Sequence, residues 1–293
     1  MKKSKNKITN LIQKFLKFFF LNSLYPNFLF LRTFKNFKRK INNDKNFKVF
    51  SDGLDKINKY EYKITSQNNE DGIIEYIFEN IPNNKYFIEI GFGYYEFNSL
   101  NLIQKGWTGK LIDIDVDEAF ALKKNLIHNF PKSNIKIINT KVTKNNINEL
   151  IQSNESNKLI DFLSLDIDSN DYWILKQMEL SKVSVLCCEY NHWLGNEKKI
   201  TIPYDENFQF FDNGIWGASL LAITELLNLK NFSLIAVESS GTNAFFINNK
   251  LKKNFEILSP QNSFRSIGRF YNEKKKIEIF NNVQNNKKKL IQI

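Results

Sequence analysis

Cysteine is nearly absent from this chain of 293 residues. The only two, Cys187 and Cys188, are neighbours within an apolar run, so the sequence holds neither a disulfide framework nor the spacing of a zinc site. They read as small buried hydrophobes of a reducing compartment, which points to the cytoplasm. Long hydrophobic runs are missing too. Residues 15–21 and 28–31 are apolar, but Lys14, Lys17, Asn22, Pro26 and Asn27 interrupt and flank them. Nothing reaches the roughly 20 residues that span a bilayer, and no small-residue cleavage site follows to suggest a secretory signal. Alanine and glycine are scarce while Lys, Asn, Ile and Phe abound; that reads as a compositional bias of the source and excludes no function.

What is present is first an uneven charge. The formal net charge is +11, but residues 1–48 hold thirteen Lys and Arg against Asp44 alone, and the remainder holds 29 basic against 30 acidic residues. A basic, Phe/Leu-rich segment (1–60) therefore precedes a neutral domain (61–250) and a basic C-terminal extension (251–293). The basic segment has three readings: helices packed on the domain, which is preferred, an amphipathic stretch lying on an anionic membrane, or an arm for nucleic acid. A neutral domain offers little surface for tracking a phosphate backbone, which argues against nucleic acid.

The stretch around which the rest is organised is Tyr86 to Gly93, Tyr-Phe-Ile-Glu-Ile-Gly-Phe-Gly. An apolar run of strand formers carries Glu89 and breaks at Gly91 and Gly93, as a buried parallel strand does when it opens into a ligand-binding turn. Glycine permits positive φ and lets backbone approach a ligand closely. A dinucleotide site usually reads GxGxxG, and here the third position is Glu96. Glu89 suits instead a cofactor with a positive group, such as the amino group of S-adenosylmethionine.

Upstream, Ile73, Ile74, Ile77, Phe78 and Ile81 have helical spacing behind Glu70 and Asp71, and Pro82 ends that helix. Downstream, strands alternate with helices. Residues 97–105 read as a helix stopped by Gly106, and 109–115 as a strand ending in acids, Asp113 and Asp115. Asp115 with Glu118 makes a capping box for a helix through Asn129. Residues 135–139 form a third strand, 145–152 a helix, 161–168 a fourth strand carrying Asp166 and Asp168, and 183–191 a fifth ending at Glu189 and Asn191. This cadence means a parallel sheet with right-handed crossovers. Asp171 is expected to cap the helix after strand four. Residues 201–211 read as a lid or substrate loop, 217–229 as a helix, 233–237 and 244–247 as strands with a hairpin-length connection, and 277–280 as a further strand.

Four strand ends thus carry carboxylates to one edge of a sheet. Packing does not ask for that, because gathered like charges repel unless a cation or a ligand's hydroxyls relieve them. Asp113 is placed to accept both hydroxyls of a ribose.

The chain resembles the class I S-adenosylmethionine-dependent methyltransferases, and within them the FkbM-type group. The resemblance spans about residues 65–250 and rests on Ser-Gln-Asn-Asn-Glu-Asp (66–71), Glu-Ile-Gly-Phe-Gly (89–93), Leu-Ile-Asp-Ile-Asp (111–115), Asp-Phe-Leu-Ser-Leu-Asp-Ile-Asp-Ser-Asn-Asp-Tyr-Trp (161–173), Glu-Tyr-Asn (189–191) and Gly-Thr-Asn-Ala-Phe-Phe (241–246). It implies a Rossmann-like α/β fold whose sheet is mostly parallel with an antiparallel last strand and helices on both faces. It implies that Glu89, Gly91 and Gly93 hold the methionine part of S-adenosylmethionine and Asp113 its ribose, while Asp166, Asp168, Glu189 and Asn191 face the transferable methyl. Tyr95 and Ser169 stand where the family often has glycine.

The expected chemistry is O-methylation of a hydroxyl on a glycan or small natural product. Asp166 or Asp168 serves as general base. Asp166 or Asp168 with Glu189 and Asn191 could alternatively hold a magnesium-like ion, although no metal is assigned. His192, beside Trp193, is a further base candidate read as structural. The competing functions are a non-catalytic glycan-binding or scaffold protein on the same fold, and an NAD-dependent oxidoreductase, against which the missing GxGxxG speaks.

Overall fold

A computed structural model describes residues 56–93, 96–152, 158–266 and 271–293. Most of the basic N-terminal segment, and Tyr94 and Tyr95 of the glycine turn, lie outside the described residues.

Seven strands form one sheet. They are β1 (Tyr86–Ile90), β2 (Thr108–Asp113), β3 (Ile135–Asn139), β4 (Ile160–Leu165), β5 (Val183–Glu189), β7 (Phe232–Val237) and β8 (Asn243–Asn248), in the order β3-β2-β1-β4-β5-β8-β7. Strands β1 to β5 pair in parallel, and β8 runs antiparallel to both β5 and β7. This is the Rossmann-like methyltransferase sheet expected from the sequence. The order reverses beside β1: the chain moves outward through β2 and β3, then returns to place β4 on β1's other side. Such a switch point opens a crevice at the carboxyl ends of the strands.

Helices cover both faces. On one lie α1 (Glu70–Glu79), α2 (Leu100–Gln104) and α3 (Val116–Asn129), which bury Ile73, Ile77, Leu100 and Leu122 against Phe87, Leu111, Phe162, Val185 and Phe245. On the other lie α4 (Ile147–Ile151), α5 (Asp171–Gln177) and α6 (Leu220–Leu229), which bury Ile147, Ile174, Leu175, Ile223 and Leu227 against Ile88, Ile90, Leu163, Leu186 and Phe246. Central strands covered by helices on both faces are buried along their whole length, and β1, β4 and β8 are so. Cys187 and Cys188 are buried free thiols on opposite faces of β5.

The C-terminal part departs from the sequence reading. Residues 277–280, expected as a strand, lie inside α8 (Glu273–Asn285), which follows the short α7 (Pro260–Ser263). The buried residues of α8 are Ile279 and Val283, four apart on one helical face, while Ile277 and Phe280 are exposed. The apolar run that suggests a strand is therefore split between the two sides of a helix. Ile279 and Val283 pack with Leu194, Ile202 and Ile215 in a third small core, and β9 (Ile291–Gln292) pairs antiparallel with β6 (Ile200–Thr201). At the other end, Lys56–Tyr60 forms a single 3-10 turn that buries Ile57 and Asn58, with Asn58 donating to the Val237 carbonyl at 2.9 Å.

Candidate functional site

Alternation along a strand decides which face each carboxylate takes. Glu89 is in phase with Phe87, Asp113 with Leu111, Ser164 and Asp166 with Phe162, Glu189 with Val185 and Cys187, and Asn243 with Phe245, so all project on the side covered by α1, α2 and α3. They meet at the carboxyl edge, where a cavity of about 600 Å³ opens; Glu89, Gly91, Gly93, Asp113, Asp166, Asp168 and Asn243 all line it.

Of the two glycines in the turn, only Gly91 takes positive φ, +79°. Its N–H donates to the Ile112 carbonyl at 2.9 Å, and a Cβ there would overlap the Asp166 carbonyl oxygen. The bend thus lies directly against the start of the turn after β4. In that second turn the left-handed residue is Asp168, φ +54°, with Ser169 ordinary, so the departure from glycine at 169 introduces no strain there.

Glu89 is 2% exposed. Its Oε1 accepts from the Asn98 N–H at 2.9 Å, and its Oε2 accepts from the Ser99 N–H at 2.8 Å and from the Ser99 hydroxyl. It ties the start of α2 to β1, and burial lifts its carboxyl to about 7 against those stabilising bonds. Asp113 is less enclosed. Its two oxygens accept from the Phe92 N–H at 3.0 Å and the Asp115 N–H at 2.6 Å. Asp115 caps α3, accepting from the Asp117 and Glu118 N–H groups as expected.

The densest charge lies past β4 and β5. Asp166, Asp168 and Glu189 each bring one carboxylate oxygen within 4.8 Å of the others. Asp166 and Glu189 share a hydrogen bond, and both carboxyls are held well above the ordinary range, by burial first and then by neighbouring carboxylates. Each carboxyl of the pair disfavours ionisation of the other. Asp168 stands at the exposed end of the group and is pushed up to about 6 by partial burial and by Asp171. Asp171, expected as a helix cap, sits one residue too late for that. Its carboxylate accepts instead from the Ile167 and Ser169 N–H groups at 3.0 and 2.9 Å and so fixes the turn that presents Asp166 and Asp168.

Asn191 is not brought to the cavity. It is fully buried, accepts from the Trp193 N–H at 2.9 Å, and donates to the carbonyls of Gly214 and Trp216 at 3.1 and 2.7 Å. Two residues beyond Glu189 the chain has left the strand for a 3-10 turn, His192–Leu194, and the amide pins that turn to the 214–216 loop. His192 packs on Trp193 with ring centroids 4.7 Å apart, and burial lowers it to about 3, so it is neutral.

The 201–211 stretch does approach the cavity, through Glu206, Phe208 and Phe210. It is latched by residues with no assigned role in the sequence reading. Asn170 and Asp205 exchange hydrogen bonds of 2.9 and 3.1 Å, and Trp173 Nε1 donates to the Ile202 carbonyl at 2.8 Å. Asn98, which donates to Ser164 at 3.0 Å beneath the cavity, was also unassigned. A lone Asn carries no sequence signal that separates a latch from a turn.

No family model matches the chain, and no curated protein does. Among solved structures it is similar to the magnesium protoporphyrin IX methyltransferase from Synechocystis PCC 6803 with bound SAH, at 11% identity over 80% of this chain and 99% of that one, TM-score 0.39. It is also similar to the N-terminal domain of EvdMO1 in the presence of SAH and D-fucose, at 7% identity over 61% and 82%, TM-score 0.39. A third is the human methyltransferase 10 domain containing protein, at 15% identity over 46% and 75%, TM-score 0.33. At these values the likenesses say nothing about what this chain binds. The fold stands on its own strand order and register.

Proposed function

We propose that the chain is an S-adenosylmethionine-dependent methyltransferase of the FkbM type that methylates a hydroxyl on a glycan or small natural product. The observation that carries the reading is the convergence, on one cavity at the switch point, of the Gly91 bend, the Asp113 carboxylate and the carboxylates of Asp166 and Asp168, with Glu189 outside the lining but within 4.8 Å of that pair. Asp113 suits a ribose, and the carboxyl group two strands away is separated from it by the close backbone approach at Gly91. S-adenosylmethionine, held on the Asp113 side with Gly91 and Gly93, supplies a methyl already activated by its sulfonium.

The chain's own residues have three tasks. Glu89 fixes the start of α2, and with it the wall of the cofactor side. Asp166 and Glu189 orient the acceptor hydroxyl. Asp168 or Asp166 would take the acceptor hydroxyl's proton, and the bound cofactor would supply the methyl, its C–S bond breaking with the electron pair leaving on sulfur as the C–O bond forms. A hard divalent cation on the three carboxylates is the second reading, favoured by their mutual distance of at most 4.8 Å. Loss of turnover on adding EDTA, restored by magnesium, selects it.

Calorimetry tests the core of this. S-adenosylhomocysteine is expected to bind and NAD not to, and Asp113→Ala is expected to weaken binding about tenfold or more, the value of one charge-assisted hydrogen bond. Binding of NAD in preference would replace this reading with the oxidoreductase one. Binding of S-adenosylhomocysteine without turnover on any hydroxyl acceptor would favour the non-catalytic one.

A further inference from the structure

One group lining the cavity has a role in neither the fold nor the chemistry above. Asn243 opens β8, is 2% exposed, and faces the cavity. Its Nδ2 donates to Glu70 Oε1 at 2.8 Å, which fixes the amide's orientation, and Glu70 is itself held by the Asn68 N–H at 2.8 Å. The other end of the amide, Oδ1, is buried and has no hydrogen-bond donor. A buried amide oxygen without a donor is destabilising, and a hydrogen bond from a bound ligand would recover that cost.

Position in the sheet says which ligand. Asn243 pairs with Glu189 across β5 and β8. Going from Asp113 on β2 to Asn243 on β8 crosses four strand spacings, about 19 Å at ~4.8 Å each. Asp166 is about two spacings away and Glu189 one. Asn243 therefore belongs to the acceptor end of the cavity, next to the Asp166–Glu189 pair. On the methyltransferase reading the acceptor hydroxyl lies against that pair, so a second hydroxyl of the same acceptor is the donor within reach of Oδ1.

We infer that Asn243 selects the acceptor: its Oδ1 takes a hydrogen bond from a second hydroxyl of a polyhydroxylated ring, a sugar or cyclitol, whose neighbouring hydroxyl lies against Asp166 and Glu189. The inference rests on the methyltransferase reading and narrows it, since an acceptor with an isolated hydroxyl would leave Oδ1 unsatisfied.

The test uses the full chain saturated with S-adenosylhomocysteine. Saturation-transfer NMR is recorded with methyl α-D-glucopyranoside, methyl α-D-mannopyranoside, methyl α-D-galactopyranoside and myo-inositol. At least one is expected to bind, Asn243→Ala to weaken it about tenfold or more, and S-adenosylhomocysteine affinity to stay within about twofold. Glu70→Gln leaves Asn243 in place but loosens its anchor; a smaller loss of the same probe is expected, and this variant serves if Asn243→Ala does not fold. Absence of binding by every probe, or undiminished binding by Asn243→Ala, overturns the inference. So does magnesium chloride alone binding in a way that Asn243→Ala abolishes, which would assign Oδ1 to a cation. Failure of S-adenosylhomocysteine to bind the unsubstituted chain is a separate result that removes the reading underneath, and this one with it.

Discussion

Gly91 and Glu89 lie two residues apart and do different work. Gly91 is required by space: its φ of +79° and its contact with the Asp166 backbone leave no room for a methyl group. Gly91→Ala is expected to cost several kcal/mol, seen as a large fall in thermal midpoint or as loss of soluble protein. Gly93 has an ordinary φ, and among the described residues a Cβ there meets only the Glu96 carbonyl oxygen, at 3.2 Å, so Gly93→Ala should be much milder. Equal melts for the two variants would show that the turn is not wedged against β4. Glu89 lines the cavity where the cofactor's amino group is expected, and its oxygens also accept from residues 98 and 99, so it positions α2 as well.

At the scale of elements, the 200–217 region is held by contacts distant in sequence. β9 pairs with β6, α8 packs Ile279 and Val283 beneath Gly214, and Asn170 and Trp173 latch the loop from α5. Removing residues 286–293 deletes β9 while leaving the seven-stranded sheet untouched. Hydrogen exchange at residues 200–211 is expected to quicken several-fold, with exchange in β1 and β4 unchanged. Equal acceleration in both regions would mean that the C-terminal strand supports the whole domain. For α6, Ser219 accepts from the Ala222 N–H, and Ser219→Ala is expected to destabilise by about 0.5–2 kcal/mol in chemical denaturation.

Across the whole molecule, buried carboxyls dominate the pH response. Burial raises Glu89 to about 7, and burial with the nearby Glu70 and Glu61 raises Glu238 to about 8. A carboxyl whose folded pKa exceeds its unfolded value binds more protons when folded, so its contribution is full below about 4.5 and is lost as pH rises through the folded value. His192, lowered to about 3, acts in the opposite sense, but only between about 3 and 6.5. The clean window is therefore pH 6.5–8, where the ligand-free protein is expected to lose about 1–2 kcal/mol of stability. Glu238→Gln should flatten most of that slope. A denaturation midpoint that stays level or rises over this window would show that these carboxyls are ionised in the fold.

The order of strands and helices, the buried run of β1, the break at Gly91 and the cap at Asp115 follow from local rules: apolar period, glycine's freedom in φ, and a side chain that bonds its own helix end. So does the grouping of Glu89, Asp113, Asp166 and Glu189, since each lies at, or within one residue of, a strand's carboxyl end in the same phase, and parallel strands end at one edge. Only the tertiary structure decided that Asn191 pins a turn, that Asp171 holds the β4 loop, that residues 277–280 are helical, and that Asn243 opens onto the cavity with one amide atom anchored. Each of those outcomes depends on a partner far along the chain or on a position just past an element's end. A pattern of neighbours cannot report which distant donor or apolar face such a residue will meet.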